Sequence, residues 1–213
     1  MAKEKTIGHR YGTNRADTKS NLKNAPAISC TSCNLHKTRK KSILGVGNKK
    51  AKIMFIGEAP GAAEEVQGES FVGRAGKLLN TMLKSVGFNR EAVYITNVLK
   101  FRSPGNRSPT PKEIKLCLPY LQQEIALIQP KIIVALGRTA ARTLLNTRES
   151  IENLRSHVYQ YGMQKIVLLV TYHPAYLLRM PGEKKKANID FLRIKKFLIS
   201  KHMLYKSKAR YLR

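Results

Sequence analysis

Acidic residues are scarce in this chain: 13 Asp and Glu stand against 40 Lys and Arg, for a formal net charge of +27. A surplus of that size says little about fold. It narrows the partners to a polyanion, either nucleic acid or an anionic membrane surface. Long apolar runs are missing as well. No run reaches the roughly 18 apolar residues of a membrane-spanning helix, so none is expected. The stretch from Met1 to Asn24 is polar and has no apolar core, so no secretory signal is expected. Glu4 and Asp17 interrupt any transit-peptide pattern. Cysteine is limited to three, an odd number that argues against a disulfide framework. No internal repeat is present. The bacterial cytosol or nucleoid is the expected location, and a monomer the expected state.

What remains fits a single α/β domain. A chain of 213 residues, 42% of them hydrophobic, can bury a sizeable core. Strands are expected near 52–57, 93–98, 131–136 and 165–171, each an apolar run rich in β-formers. Helices are expected near 74–86, 111–128, 138–146 and 188–202. Thr110 followed by Pro111, with Glu113 close behind, is a helix start: Thr as N-cap and Pro at the first position. Such alternation implies a parallel sheet with helices on both faces. Residues 1–28 read as a flexible basic segment and 29–181 as the folded domain. Residues 182–213 read as a basic helix and tail, with Lys184-Lys185-Lys186 and Lys195-Lys196.

The chemistry is expected to gather at the carboxyl ends of these strands. The run Lys52-Ile53-Met54-Phe55-Ile56 is stopped by Gly57-Glu58-Ala59-Pro60-Gly61-Ala62-Ala63-Glu64. A loop at that end of a central strand is where open α/β sheets place ligands. Phe71-Val72-Gly73-Arg74-Ala75-Gly76 follows closely. Further on come Tyr94-Ile95-Thr96-Asn97-Val98-Leu99-Lys100, then Arg102-Ser103-Pro104-Gly105-Asn106-Arg107, then Thr171-Tyr172-His173-Pro174-Ala175-Tyr176-Leu177-Leu178-Arg179. In order, spacing and residue type these segments resemble the family 4 uracil-DNA glycosylases, the iron–sulfur branch of that superfamily. The resemblance runs from about Cys30 to about Arg179. It implies a four-stranded parallel sheet with helices on both faces. It also implies a DNA repair enzyme that hydrolyses the N-glycosidic bond of uracil and leaves an abasic site.

The resemblance assigns roles residue by residue. Asn97, at its strand end, offers the donor and acceptor that suit the O4 and N3–H edge of uracil. Phe71 supplies an aromatic face for a flipped base. His173 donates to uracil O2 as negative charge gathers there. Glu58 orients the attacking water or faces the cationic sugar. Gly57 and Glu64 line the uracil site, with Glu64 excluding a thymine methyl. From their own chemistry, Leu177 and Leu178 are expected to wedge into the base stack while Arg179 holds a phosphate; the alternative is an amphipathic first helical turn packed on the core. From charge alone, Arg102, Arg107 and the tail lysines read as DNA-backbone contacts. The alternative is a non-catalytic basic DNA-binding protein with a relic pocket. A fragment tied to a DNA polymerase is weaker still, because no polymerase active site is recognisable.

The family binds a [4Fe–4S] cluster through four cysteines. Cys30-Thr31-Ser32-Cys33 supplies a C-x-x-C pair and Cys117 the later cysteine. The remaining ligand position falls at Phe101, which cannot ligate iron. Three outcomes stay open: a cluster on three thiolates, a [3Fe–4S] form, or loss of the cluster with the cysteines buried as apolar residues. Zinc on three cysteines and His36 is a further option. The expectation carried forward is a retained cluster, remote from the chemistry, with no catalytic metal.

Overall fold

The structure is a computed structural model, and it describes Glu4–Lys5 and residues 30–200. The remaining parts of the expected N-terminal segment, and the tail 201–213, lie outside the described residues. The strands are β1 (Glu4–Lys5), β2 (Val46–Gly47), β3 (Ile53–Gly57), β4 (Tyr94–Asn97), β5 (Ile132–Leu136), β6 (Val158–Tyr161) and β7 (Ile166–Thr171). They form one sheet in the order β1-β6-β7-β5-β3-β4-β2. The helices are α1 (Ala62–Gln67), α2 (Arg74–Ser85), α3 (Pro111–Ile128), α4 (Gly137–Leu145), α5 (Ile151–Arg155), α6 (Pro174–Arg179) and α7 (Lys184–Ser200).

The four expected strands form the parallel centre, β7-β5-β3-β4. Their apolar runs are continuous because both faces are covered. Met54, Ile56, Ile133 and Ala135 point into one core with Leu121 and Ile125 of α3 and Ala141 of α4. Ile53, Phe55, Val134 and Leu169 point into the other, with Leu79 and Leu83 of α2 and Phe191 of α7. Helices therefore lie on both faces, as expected.

The expected four-stranded, all-parallel sheet needs correction, since the sheet is larger and mixed. β2 joins β4 antiparallel, β6 joins β7 antiparallel, and β1 extends the β6 edge. These additions are short or half-exposed, so they carry no long apolar run. In β6 only Tyr159 is buried. The C-terminal helix also differs from a separate basic extension. Its lysines face outward, while Ala187, Phe191, Ile194 and Leu198 are buried in the main core. The Phe191 ring stacks on Phe55 at 6.0 Å. Arg155 holds the same helix through Asp190, at 2.7 and 2.9 Å.

The α3 start forms as expected. Thr110 accepts from the Glu113 N–H, and the Glu113 carboxylate receives the Thr110 N–H at 2.8 Å. Among the described residues, no helix is long and apolar enough to cross a membrane. Register aligns the strand ends that matter. Gly57 pairs with Asn97, and Leu136 pairs with Thr171. The loops leaving these four strands therefore converge on one edge of the sheet.

Candidate active site

A cavity of about 720 Å³ opens at that edge, and Glu58, Phe71, Asn97, Thr139, His173 and Arg179 are among its lining residues. Two of its lining residues, Asn97 and Phe71, close in on Gly57. A Cβ there would fall 2.5 Å from Asn97 Oδ1 and 2.6 Å from Phe71 Cζ. Only glycine lets the amide and the ring come that close. Phe71 itself sits at φ 57°, a left-handed conformation that is uncommon for an aromatic residue. Two features hold it there. A Cβ on Gly76 would collide with the Phe71 carbonyl, so the turn can close only on glycine. The Glu64 carboxylate receives the N–H groups of Val72 and Gly73 at 3.1 and 3.0 Å, and that of Gly61 at 3.2 Å. Glu64 is buried, and both its oxygens are used in this loop. Glu64 lines the cavity, and its carboxylate is engaged by the backbone of these loops.

Asn97 ends β4 with its side chain buried in the cavity wall. The Ser70 hydroxyl donates to the Leu44 carbonyl, so its oxygen is left to accept, and Asn97 Nδ2 lies 3.5 Å away. That arrangement turns the amide oxygen toward the cavity, where Asn97 Oδ1 is buried with no partner. Behind it, Lys100 Nζ donates to the Asn97 carbonyl at 2.7 Å, to Thr96 Oγ1 at 2.8 Å and to Glu124 Oε2 at 2.7 Å. Glu124 also accepts from Thr96 Oγ1 and from the Gly45 N–H. Lys100 is fully buried, so this pair is dry and fully hydrogen-bonded.

His173 is the N-cap of α6. Its Nδ1 accepts the Ala175 N–H at 3.1 Å, which puts the proton of the neutral ring on Nε2. Nε2 is buried and unpartnered. Burial lowers the ring pKa to about 4, helped by the Arg179 charge and opposed by Glu64. The ring is thus a neutral donor at physiological pH. It lies 5.7 Å from the Phe71 ring, tilted by 36°. Gly137 makes room for it, since a Cβ there would stand 2.7 Å from His173 Cβ.

Glu58 also lines the cavity, and one of its carboxylate oxygens accepts from the Thr139 hydroxyl. Sequence reasoning missed Thr139, and with it Arg138 and Arg142, which also line the cavity. The signal was present: Gly137-Arg138-Thr139 leaves β5 at the same edge as the Gly57 loop leaves β3. Ser70, Lys100 and Glu124 were missed too, because Ser70 meets Asn97 across 27 residues and Glu124 meets Lys100 across 24.

The expected DNA contacts divide. Arg179 is exposed at the cavity, and Leu178 is half-buried. Leu177 is wholly buried in the core beside Phe191, so it cannot act as a wedge. Arg102 is paired with Glu65 at 3.1 Å and bonds Asn106. Arg107 lines the cavity but forks onto Glu113 at 2.6 and 2.9 Å. That fork, with the Thr110 cap, draws the Glu113 pKa down to about 2.

The cysteines come together around Phe101. Cys30, Cys117 and Phe101 are buried in one apolar cluster with Leu35 and Leu121, and half-buried Cys33 packs against it. The Tyr120 hydroxyl bonds Cys30, and the Lys100 backbone N–H bonds Cys117. Among the described residues, no three His, Cys, Asp or Glu side chains are gathered as a metal site.

Fold and cavity together define an α/β protein with a pocket for a planar ring, edged by one amide acceptor and one imidazole donor. Residues 44–193 match the family model described as the uracil DNA glycosylase superfamily. The type-4 uracil-DNA glycosylase of Archaeoglobus fulgidus is 46% identical over 78% of this chain and 87% of its own length. That of Sulfurisphaera tokodaii is 43% identical over 81% and 82%, and that of Saccharolobus solfataricus 45% over 81% and 83%. The chain belongs to the type-4 branch of the uracil-DNA glycosylase superfamily.

Proposed function

We infer that this protein hydrolyses the N-glycosidic bond of uracil in DNA and leaves an abasic site. The observation that carries the reading is the pair of orphaned atoms beside Phe71: the acceptor Asn97 Oδ1 and the donor His173 Nε2. Uracil supplies what both lack. Its N3–H meets Asn97 Oδ1, its O4 faces the amide N–H, and its O2 receives the His173 proton. Cytosine has a lone pair at N3 and would leave Asn97 Oδ1 buried and unpaired, which is a strong basis for rejection.

The base must leave the stack to reach this pocket, and Phe71 offers it a face. As the C1′–N1 bond breaks, its electron pair passes to the uracil ring and charge builds on O2. A neutral, buried N–H aimed at that oxygen stabilises the departing anion without prior reorganisation. Water attacks C1′ from the other side. The Glu58 oxygen not engaged by Thr139 accepts its proton, and the uracil anion is protonated by solvent. Recognition of the base, stabilisation of its anion and acceptance of the water proton fall to groups of this chain.

DNA is the macromolecular partner. Arg138 and Arg179 at the cavity mouth hold phosphates, with the basic surface around them supplying general affinity. Leu178 is the wedge, since Leu177 belongs to the core. The relic-pocket alternative has no observation in its favour, because the orphaned donor and acceptor remain poised. A duplex with one U·G pair should release free uracil and become alkali-labile after incubation with the protein. Folded protein that releases none at stoichiometric enzyme ends the glycosylase reading.

A further inference from the structure

The iron–sulfur cluster implied by the family resemblance does not fit the residues at its place. We propose that Phe101, capped by Arg39, closes this place as an apolar plug, and that the chain folds and positions Asn97 without a cluster.

The donor set is the first reason. A cubane is held by four thiolates, and this site offers Cys30, Cys33 and Cys117. A cluster with three thiolates needs some other group on its fourth iron, commonly water reaching an open corner. That corner is not open here. Phe101 stands at the missing ligand position with no exposed surface. The Arg39 guanidinium carbon lies over its ring, 4.2 Å from the centroid. His36 Nδ1 is engaged with the Cys33 carbonyl at 2.6 Å, which leaves Nε2 as its ligand atom, but among the described residues the ring is not gathered with the cysteines into a metal-holding group.

The second reason is that the surroundings are already satisfied as a core. Phe101 packs with Cys30, Leu35, Cys117 and Leu121 in the cluster that continues under α3 and the sheet. Buried cysteines behave there as small apolar residues. A cation over an aromatic face is attracted by the ring quadrupole, so Arg39 caps the plug.

The third reason links the plug to the pocket. Phe101 follows Lys100 directly. The Lys100 backbone N–H bonds Cys117, while its Nζ clamps the Asn97 carbonyl. The chain leaving β4 is therefore anchored by a ring, a thiol and a buried ion pair. These contacts do the mechanical work of a thiolate–iron bond at position 101.

The test uses the full chain, purified and reconstituted anaerobically with iron and sulfide. Iron, zinc and acid-labile sulfide should stay at background, the protein should remain colourless, and its melting temperature should not change with a strong chelator. Iron and sulfide near four each per chain, stoichiometric zinc, or a chelator-dependent melting temperature would overturn the proposal. Phe101→Cys restores the fourth thiolate and should take up iron and sulfide with a visible absorption band. If it folds and takes up none, Phe101 is not what closes the site. Should that variant fail to fold, Arg39→Gln keeps the question open to measurement. It should melt lower than the unaltered protein yet stay iron-free, and an unchanged melting temperature would count against the cap. Metal content is read apart from uracil release, so failure here leaves the excision reading standing.

Discussion

Lys100 Nζ donates to the carbonyl oxygen of Asn97 at 2.7 Å, and the same ammonium is neutralised by Glu124 at 2.7 Å. The strand end that carries the pocket's amide is thus pinned by a buried charge that Glu124 holds in place. Lys100→Met leaves Glu124 buried and unpaired, and urea unfolding should show a loss of about 3–5 kcal/mol. The double variant Lys100→Met with Glu124→Leu should regain most of that stability. Its uracil release should stay depressed, because the carbonyl has lost its clamp. Full activity of the double variant would remove Lys100 from the positioning of Asn97.

His173→Ala should lower single-turnover uracil release by about 10²–10³-fold while duplex binding survives, as expected for a donor used mainly in the transition state. A variant as fast as the unaltered protein would exclude His173 from the mechanism.

The same ring sets a pH dependence. Its folded pKa is lowered to about 4 from an ordinary value of 6.5. Between those values the unfolded chain binds the proton and the folded chain does not. The His173 contribution to stability is therefore fully present above about pH 6.5 and declines as pH falls toward 4. His173→Gln should flatten the pH slope of stability across that window, measured by denaturant titration. An unchanged slope would show that the ring is not buried neutral.

Gly57→Ala tests the narrowness of the pocket. The added methyl would stand 2.5 Å from Asn97 Oδ1 and 2.6 Å from Phe71 Cζ. Uracil release should fall by at least about tenfold, the scale of misplacing a binding group. Affinity for undamaged duplex should hold. Wild-type turnover would mean that the ring and amide can move apart freely.

Affinity for undamaged duplex should drop steeply with salt, and Arg179→Ala should reduce the slope of log affinity against log salt by about one. Truncation after Gly182 is a poor test of charge, since it removes Phe191 and Leu198 from the core. Reversing Lys184, Lys185 and Lys186 to Glu leaves the buried face of α7 intact and should flatten the slope further. A salt-independent affinity would separate the basic surplus from phosphate binding.

The central strands were legible in the sequence because burial on both faces demands a continuous apolar run. The Thr110 cap was legible because an N-cap and its third helical residue are neighbours in the chain. The glycine and proline breaks after β3, with Asn97 and His173 at their strand ends, marked the site for the same local reason. Tertiary structure alone decided the rest. Leu177 and Leu178 are chemically identical, and only the docking of α6 sends the first into the core and leaves the second accessible. Glu58 meets Thr139 across 81 residues, and Lys100 meets Glu124 across 24. The Glu64 carboxylate is taken up by the Phe71 turn, and Arg102 and Arg107 by nearby acids. Side-chain partnership depends on which loops the sheet brings to one edge, and no local pattern records that. A short, half-exposed strand such as β6 is in the same position, since its place in the sheet comes from pairing with β7 rather than from its own residues.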